Sequence, residues 1–155
     1  MIVIADTTPI NYLILIDEIE ILAELYGKVI IPEAVFRELK AEAAPKEIKK
    51  WLANRPEWLE VQNISAQIGE DLKSLDAGEA EAIVLAEELN ADLLLIDERL
   101  GRKIAQEHGL RVVGTIGILA LAKQNKLFNL EDVIGKLEKT NFYLSDKLKE
   151  FLRKQ

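Results

Sequence analysis

The chain opens with a short apolar segment that ends in a carboxylate, and this segment constrains the fold more than any other. Ile2 to Ala5 are apolar, and Asp6, Thr7, Thr8 and Pro9 follow them directly. Such a run is typical of a strand buried on both faces, and proline favours the first turn of a helix. The pattern predicts Asp6 at the carboxyl edge of a parallel sheet, where ligands bind in open α/β folds. Taken alone, Asp6 is explained equally well as a cap of the following helix.

Four more segments have the composition of strands, and helical patterns separate them. These strands are predicted at residues 28–31, 58–61, 92–97 and 110–113, with the one at 58–61 more exposed. Helices are predicted at 9–25 (two short helices, the second capped by Asp17), 32–41, 46–53, 65–72, 80–89, 100–106, 116–123, 129–139 and 145–153. Alternating strands and helices indicate βαβ units. We therefore predict an α/β fold, a three-layer α/β/α domain around a central parallel sheet of about five strands.

The composition excludes several classes of protein and site. A chain of 155 residues with 49% hydrophobic and 30% charged residues is expected to form a single domain over residues 1–155. Neither a membrane span nor a signal peptide is expected, so we predict a cytoplasmic protein. The absence of cysteine excludes disulfides and thiolate metal sites, and the lone His108 argues against histidine-based sites. A net charge of -7 means that nucleic-acid binding would need metal ions, a local basic patch or a basic partner.

Acidic residues occur at four places that the predicted fold brings to one edge of the sheet. Asp6 and Asp97 each follow an apolar strand, Glu38 lies on the helix after the second strand, and Glu79 begins the helix before the fourth strand. Carboxylates that share a small site raise each other's pKa unless cations neutralise them. Mg²⁺ prefers such oxygen ligands and leaves room for phosphates, which suits phosphodiester hydrolysis. Taken singly, Glu38 is expected to be a surface residue, and Glu79 to be half of a capping box with Asp76.

These segments together resemble the PIN-domain family, in particular a PIN-like branch near the VapC toxins that was formerly catalogued as a domain of unknown function. The resemblance covers residues 1–125 and rests on Ala-Asp-Thr-Thr-Pro-Ile, Ile-Pro-Glu-Ala-Val-Phe-Arg-Glu-Leu, Leu-Asp-Ala-Gly-Glu-Ala-Glu-Ala-Ile, Leu-Leu-Leu-Ile-Asp-Glu-Arg and the turn at 112–119. Residues 126–155 are predicted to form C-terminal helices. The family's first, second and fourth acids match Asp6, Glu38 and Asp97. Glu79 takes the third position because Asp97 follows it by the usual eighteen residues, and Asp76 is the reserve candidate.

The resemblance implies a Mg²⁺- or Mn²⁺-dependent ribonuclease, often the toxin of a type II toxin–antitoxin pair and often a homodimer. In such a protein Asp6, Glu79 and Asp97 would hold the metal directly or through water. Glu38 would complete the site or orient the attacking water, and Thr8 would contact a water or a substrate phosphate. The remaining candidates for substrate contact or support of the site are Asp76, Glu98, Arg99 and Arg102. The implied partners are an RNA substrate and a cognate antitoxin, with no membrane.

Two positions depart from the family pattern and leave an alternative open. Glu79 stands where most PIN nucleases have aspartate, and Leu95 stands where many relatives have threonine. A PIN-like binding or assembly module without catalysis is the corresponding alternative.

Other enzymes with an aspartate at a strand end fit the sequence less well. The haloacid dehalogenase pattern needs a second aspartate where Thr8 stands, and the receiver pattern needs a lysine where Gly114 and Thr115 stand. No Gly-x-Gly-x-x-Gly motif follows a strand, which excludes the usual dinucleotide site.

Overall fold

A computed structural model describes residues 1–155, and its centre is a five-stranded parallel sheet in the order β3-β2-β1-β4-β5. The strands are β1 (Val3–Ala5), β2 (Val29–Pro32), β3 (Leu59–Gln62), β4 (Leu93–Leu95) and β5 (Val112–Val113). The first strand lies in the middle, with Ile4 opposite both Ile30 and Leu94. Every pairing is parallel, so all five carboxyl ends lie at one edge. The predicted α/β class and the number of strands are confirmed.

Nine α-helices cover the two faces of this sheet. They are α1 (Thr7–Leu15), α2 (Ile21–Tyr26), α3 (Glu33–Lys40), α4 (Lys46–Ala53), α5 (Ala77–Glu88), α6 (Arg99–Glu107), α7 (Thr115–Gln124), α8 (Leu130–Glu138) and α9 (Asp146–Arg153). The longest has 12 residues, and none combines the length and apolarity that crossing a membrane requires.

Two hydrophobic cores lie on opposite faces of the sheet, because successive side chains of a strand alternate between its faces. Val3 and Ala5 belong to a core of 24 buried residues that α1, α7 and the C-terminal helices share. Ile4 belongs to a core of 13 buried residues built largely with α5. Buried on both sides, β1 holds the residue that follows it in a fixed position.

The predicted cap of the second helix is wrong. Asp17 adopts a left-handed backbone conformation with φ of 58°, so it ends the first helical segment instead of starting the second. The helix α2 begins four residues later, after Glu20, whose side chain makes no capping hydrogen bond.

The predicted helical segment at 65–72 is also wrong, apart from one 3₁₀ turn at Glu70–Leu72. The Glu88 carboxylate of α5 accepts hydrogen bonds from the main-chain N–H groups of residues 65 and 66, at 2.8 and 2.5 Å. His108, at the end of α6, also holds the segment, because its Nε2 atom lies 2.5 Å from Asp71 Oδ2. The other ring nitrogen of His108 lies 2.7 Å from Glu87 Oε1 of α5. Side chains of neighbouring helices therefore hold this segment, in place of helical hydrogen bonds of its own.

Candidate functional site

Asp6 lies at the carboxyl end of the central strand and is almost completely buried, with 3% of its surface exposed. Its main-chain N–H donates to the Leu95 oxygen at 2.8 Å, which fixes it against β4. Although it precedes α1, its side chain makes no capping hydrogen bond, and its Oδ1 atom has no partner. Burial raises the pKa of Asp6 to about 8, and nearby carboxylates add to the effect. The capping explanation therefore does not account for this side chain.

Glu38 projects from α3 and is held by groups from two other helices. The Thr7 hydroxyl donates to Oε2, and the main-chain N–H of Gly78 donates to Oε1 at 3.1 Å. A Cβ atom at position 78 would lie 2.5 Å from Oε1, so only glycine admits this approach. Burial raises the pKa of Glu38, while the hydrogen bond from Thr7 opposes that rise. Contacts with α1 and α5 thus fix the carboxylate.

Asp76 and Glu79 form the predicted capping box at the start of α5, which is confirmed. The N–H of Glu79 donates to Asp76 Oδ1 at 2.8 Å, and the N–H of Asp76 donates to Glu79 Oε1 at 3.3 Å. The other oxygen, Glu79 Oε2, is buried without a hydrogen-bond partner. Burial and then the charge of Asp76 raise the pKa of Glu79 to about 7. Capping therefore occupies only one oxygen of Glu79.

Three carboxylates converge at this edge of the sheet. Asp6, Glu38 and Asp76 each offer an oxygen atom, and these atoms all lie within 4.8 Å of one another. We call this set the acidic cluster. Glu79 is outside the set but close enough for its charge to raise the pKa of Asp6. The structure thus brings together residues from the ends of β1, α3 and the start of α5.

Asp97, by contrast, is anchored to the start of α7. Its Oδ1 accepts from the N–H of Thr115 at 2.7 Å, and its Oδ2 accepts from the Thr115 hydroxyl at 2.5 Å. Thr115 is fully buried. A Cβ atom at Gly114 would lie 2.7 Å from Asp97 Oδ1, so a glycine keeps this approach open. Asp97 therefore joins two strand ends and does not belong to the set within 4.8 Å.

The other predicted residues differ in how closely they are tied to the site. Thr8 is half-buried on α1, while Glu98 and Arg99 are exposed at the start of α6. The charge of Glu98 contributes to the raised pKa of Glu79. Arg102 is half-buried and donates to the main-chain oxygen of Ile96 at 3.1 Å, so it supports the turn before Asp97.

Several residues with direct contacts to these acids were missed by sequence reasoning. Thr7 and Gly78 bind Glu38, while Gly101 leaves room for Glu79 Oε2, which would lie 3.1 Å from a Cβ there. Thr115, which binds Asp97, was considered as the place where the receiver pattern needs a lysine and not as a contact of Asp97. The available signal was position: each of these residues lies in the first turn of a helix that begins at the same sheet edge as the acids.

The chemistry of the donor set fits a hard divalent cation. All the convergent atoms are carboxylate oxygens, and none of these acids forms a salt bridge. Two of the buried oxygens, Asp6 Oδ1 and Glu79 Oε2, lack any hydrogen-bond partner. Buried polar atoms without partners are rare and call for an explanation. A cation held at the acidic cluster would give Asp6 a partner and would lower the mutual repulsion of the acids, Glu79 included.

Comparison with known proteins assigns the family. A family model of PIN domains, DUF3368, matches residues 2–155. Among solved structures, the chain is similar to a PilT N-terminus domain protein from the hyperthermophilic archaeon Sulfolobus solfataricus P2, with a TM-score of 0.51 and 18% identity over 94% of this chain and 100% of that one. At this identity the similarity concerns the fold. No curated protein matches the chain. Because the family model spans nearly the whole sequence, the chain belongs to the PIN-domain family, whose members are generally nucleases.

Proposed function

We propose that this protein is a metal-dependent ribonuclease that hydrolyses RNA phosphodiester bonds. The observation that carries the proposal is the pair of buried carboxylate oxygens, Asp6 Oδ1 and Glu79 Oε2, which have no partner within the protein. Burying an ionisable oxygen without a partner is costly. A bound cation removes that cost, and membership of a family of nucleases connects the cation to phosphodiester chemistry.

The proposed ligands of a Mg²⁺ or Mn²⁺ ion follow from the state of each carboxylate. Asp6 and Glu79 would hold the ion directly, through the oxygens that lack partners. Glu38 and Asp76 would complete the oxygen set, since both lie in the acidic cluster. Asp97 would act through water, because both its oxygens already accept from Thr115. When bound, the cation supplies positive charge that stabilises negative charge developing on the phosphate oxygens.

Side chains of this protein would position the water and the substrate. Burial raises the pKa of Glu38 and so makes its carboxylate a stronger base, which suits the role of a general base. Its fixed position between Thr7 and Gly78 would aim it at the attacking water. Thr8 would donate to a phosphate oxygen, and the exposed Arg99 would contact the phosphate backbone of the RNA.

Metal binding and cleavage, measured together, test the proposal. Mn²⁺ and Mg²⁺ binding is measured by calorimetry on the wild type and on Asp6→Asn, and cleavage of labelled RNA is assayed in the same buffers. The matched control is Asp92→Asn, which changes an exposed carboxylate at the opposite end of β4. We expect the control to bind and cleave like the wild type and Asp6→Asn to do neither. If the wild type binds no metal at millimolar concentration, the chain is instead a PIN-like binding or assembly module.

The biological setting implied by the resemblance is a toxin–antitoxin pair, and we propose it as a second step. A cognate antitoxin would place a basic side chain in the acidic cluster, where it would compete with the metal. The protein itself would form a homodimer. Induced expression should arrest growth for the wild type and not for Asp6→Asn, and sedimentation velocity reports the oligomeric state. Unimpaired growth with an active wild-type enzyme would contradict the toxin assignment.

A further inference from the structure

A cavity of about 610 Å³ lies beside α1, away from the acidic cluster. It is lined by Asn11 of α1, by Glu47 at the start of α4, and by Lys136, Lys139 and Asn141 at the end of α8 and in the turn that follows. Only one of its eight lining residues is hydrophobic. Such a lining suits a polar, extended ligand and does not suit an apolar molecule.

The helix α1 runs between this cavity and the edge of the sheet that carries the acids. Asn11 lies one helical turn after Thr7, on the same face of α1, and Thr7 binds the Glu38 carboxylate. The neighbouring Tyr12 donates its hydroxyl to Asn141 Oδ1 at 2.6 Å. The helix α1 therefore links the cavity, which Asn11 lines, to Thr7 and through Thr7 to Glu38.

The groups in the cavity match the chemistry of a nucleic-acid backbone. Lys136 and Lys139 are exposed, and neither forms a salt bridge. Within a chain of net charge -7 they form a local basic pair, opposed in the lining only by Glu47. The Asn141 oxygen is occupied by Tyr12, which leaves the amide N–H groups for a ligand. Lysines neutralise phosphates, and an amide can bond the ribose 2′-hydroxyl.

We propose that this cavity binds the sugar–phosphate backbone of single-stranded RNA, on the strand whose scissile phosphate lies at the acidic cluster. The inference rests on the proposed function. The helix α1 spans nine residues, about 13 Å at 1.5 Å per residue, which is room for about four stacked nucleotides. The proposal specifies a single strand because Asp6 and Glu79 are only 3% and 6% exposed, and a flexible backbone reaches such atoms more readily than a rigid duplex does.

The test compares two double variants that remove the same charge. Binding of a fluorescein-labelled single-stranded 12-mer RNA is measured by anisotropy in EDTA, so that nothing is cleaved. For Lys136→Ala/Lys139→Ala we expect affinity to fall about tenfold at low salt. We also expect the slope of log K against log salt to flatten by about 1.4, because two phosphate contacts are lost. The control, Lys28→Ala/Arg111→Ala, changes cations that precede β2 and β5, at the opposite edge of the sheet, and should bind like the wild type.

The outcomes separate this inference from the proposed function. Equal loss in both double variants, or no RNA binding by the wild type, overturns the cavity as the binding site. Displacement of the RNA by polyglutamate at equal charge concentration also overturns it, in favour of an acidic protein segment. Metal binding and cleavage are scored independently by calorimetry and by the cleavage assay. If the wild type binds RNA through Lys136 and Lys139 without cleaving it, the cavity is an RNA-binding site and the proposed ribonuclease activity is refuted.

Discussion

Replacing Asp6 by asparagine should make the metal-free protein more stable, although the same change should abolish metal binding. Burial raises the pKa of Asp6 from 3.8 to about 8 in the folded protein. Each pKa unit corresponds to about 1.4 kcal/mol, so ionising this carboxyl in the folded state costs about 6 kcal/mol. Asparagine has nearly the same shape and no charge, and it avoids that cost.

The sign and the pH window of this effect follow from proton linkage. Between about pH 4 and pH 8 the folded state keeps the Asp6 proton that the unfolded chain has already released. The stability of the wild type therefore falls by about 1.4 kcal/mol per pH unit in that window because of this group, and this loss is complete above the folded pKa. The advantage of Asp6→Asn should be near zero at about pH 4 and should reach about 6 kcal/mol above pH 8.

Urea unfolding in EDTA, followed by the fluorescence of Trp51 and Trp58, measures this advantage at several pH values. Asp92→Asn serves as the control, since its carboxylate is exposed, and it should show no comparable pH-dependent gain. An advantage of Asp6→Asn that does not change with pH, or a variant less stable than the wild type at high pH, would refute the reasoning. Mn²⁺ should reverse the order of stability, because a ligand stabilises only the folded state that binds it.

Calorimetry supplies a second readout of the same charges. At pH 7 a group with a pKa of about 8 is about nine-tenths protonated, and one with a pKa of about 7 is half protonated. Metal binding to Asp6 and Glu79 should therefore release about 1.4 protons at pH 7. The heat of binding in buffers of different ionisation enthalpy measures this number, and zero release would contradict the raised pKa values.

Three other positions offer direct tests of the site and its surroundings. Gly78→Ala should reduce RNA cleavage about tenfold or more, because the new Cβ would lie 2.5 Å from Glu38 Oε1, while urea unfolding reports a loss of no more than about 1–3 kcal/mol. Thr115→Val removes a donor to Asp97 and should lower stability by about 1–3 kcal/mol and weaken Mn²⁺ binding in calorimetry. The hydrogen bonds from His108 to the carboxylates of Asp71 and Glu87 raise the pKa of His108. The stability that the wild type gains over His108→Gln should therefore be complete below about pH 6.5 and should disappear as pH rises through the folded pKa. Thermal unfolding at several pH values measures this difference.

Gly135→Ala and Thr115→Ser are the control variants for the first two of these predictions. Gly135→Ala adds a Cβ with no atom within 4 Å in α8 and should raise stability by up to about 1 kcal/mol without affecting cleavage. If Gly78→Ala cleaves like Gly135→Ala, the close approach to Glu38 is not required. Thr115→Ser keeps the hydroxyl and should behave like the wild type. A stabilisation by His108 that increases with pH would show that its carboxylates do not bind the protonated ring.

The sequence was sufficient to predict the sheet because its central strands carry a strong local signal. β1 and β4 are buried on both faces, so each reads as an uninterrupted apolar run that ends near an acid. The parallel arrangement then follows from the alternating helices, and it places Asp6 and Asp97 at one edge. Segments with weaker local signals were predicted less well. The turn at Asp17 and the segment at 65–72 depend on a left-handed backbone and on a Glu88 side chain from another helix.

The geometry of the site was harder to predict because its decisive contacts join distant parts of the chain. Thr7 and Glu38 are 31 residues apart, and Gly78 and Glu38 are 40 apart. Spacing along the chain also cannot distinguish the two acids of a capping box. The family pattern favoured Glu79 over Asp76, whereas the structure places an oxygen of Asp76 in the acidic cluster and leaves one of Glu79 buried beside it.

The central position of β1 has a consequence for protein synthesis. β1 leaves the ribosome before the other strands of the sheet, yet one of its two neighbours, β4, is some 90 residues later, with Val3 opposite Leu93. Until that partner emerges, a nascent chain exposes an apolar strand with unpaired backbone groups, the kind of edge that aggregates or recruits chaperones. Asp6 cannot reach its buried environment earlier, because its N–H pairs with Leu95. A fragment that ends before β4 therefore lacks the strand that holds Asp6 in place.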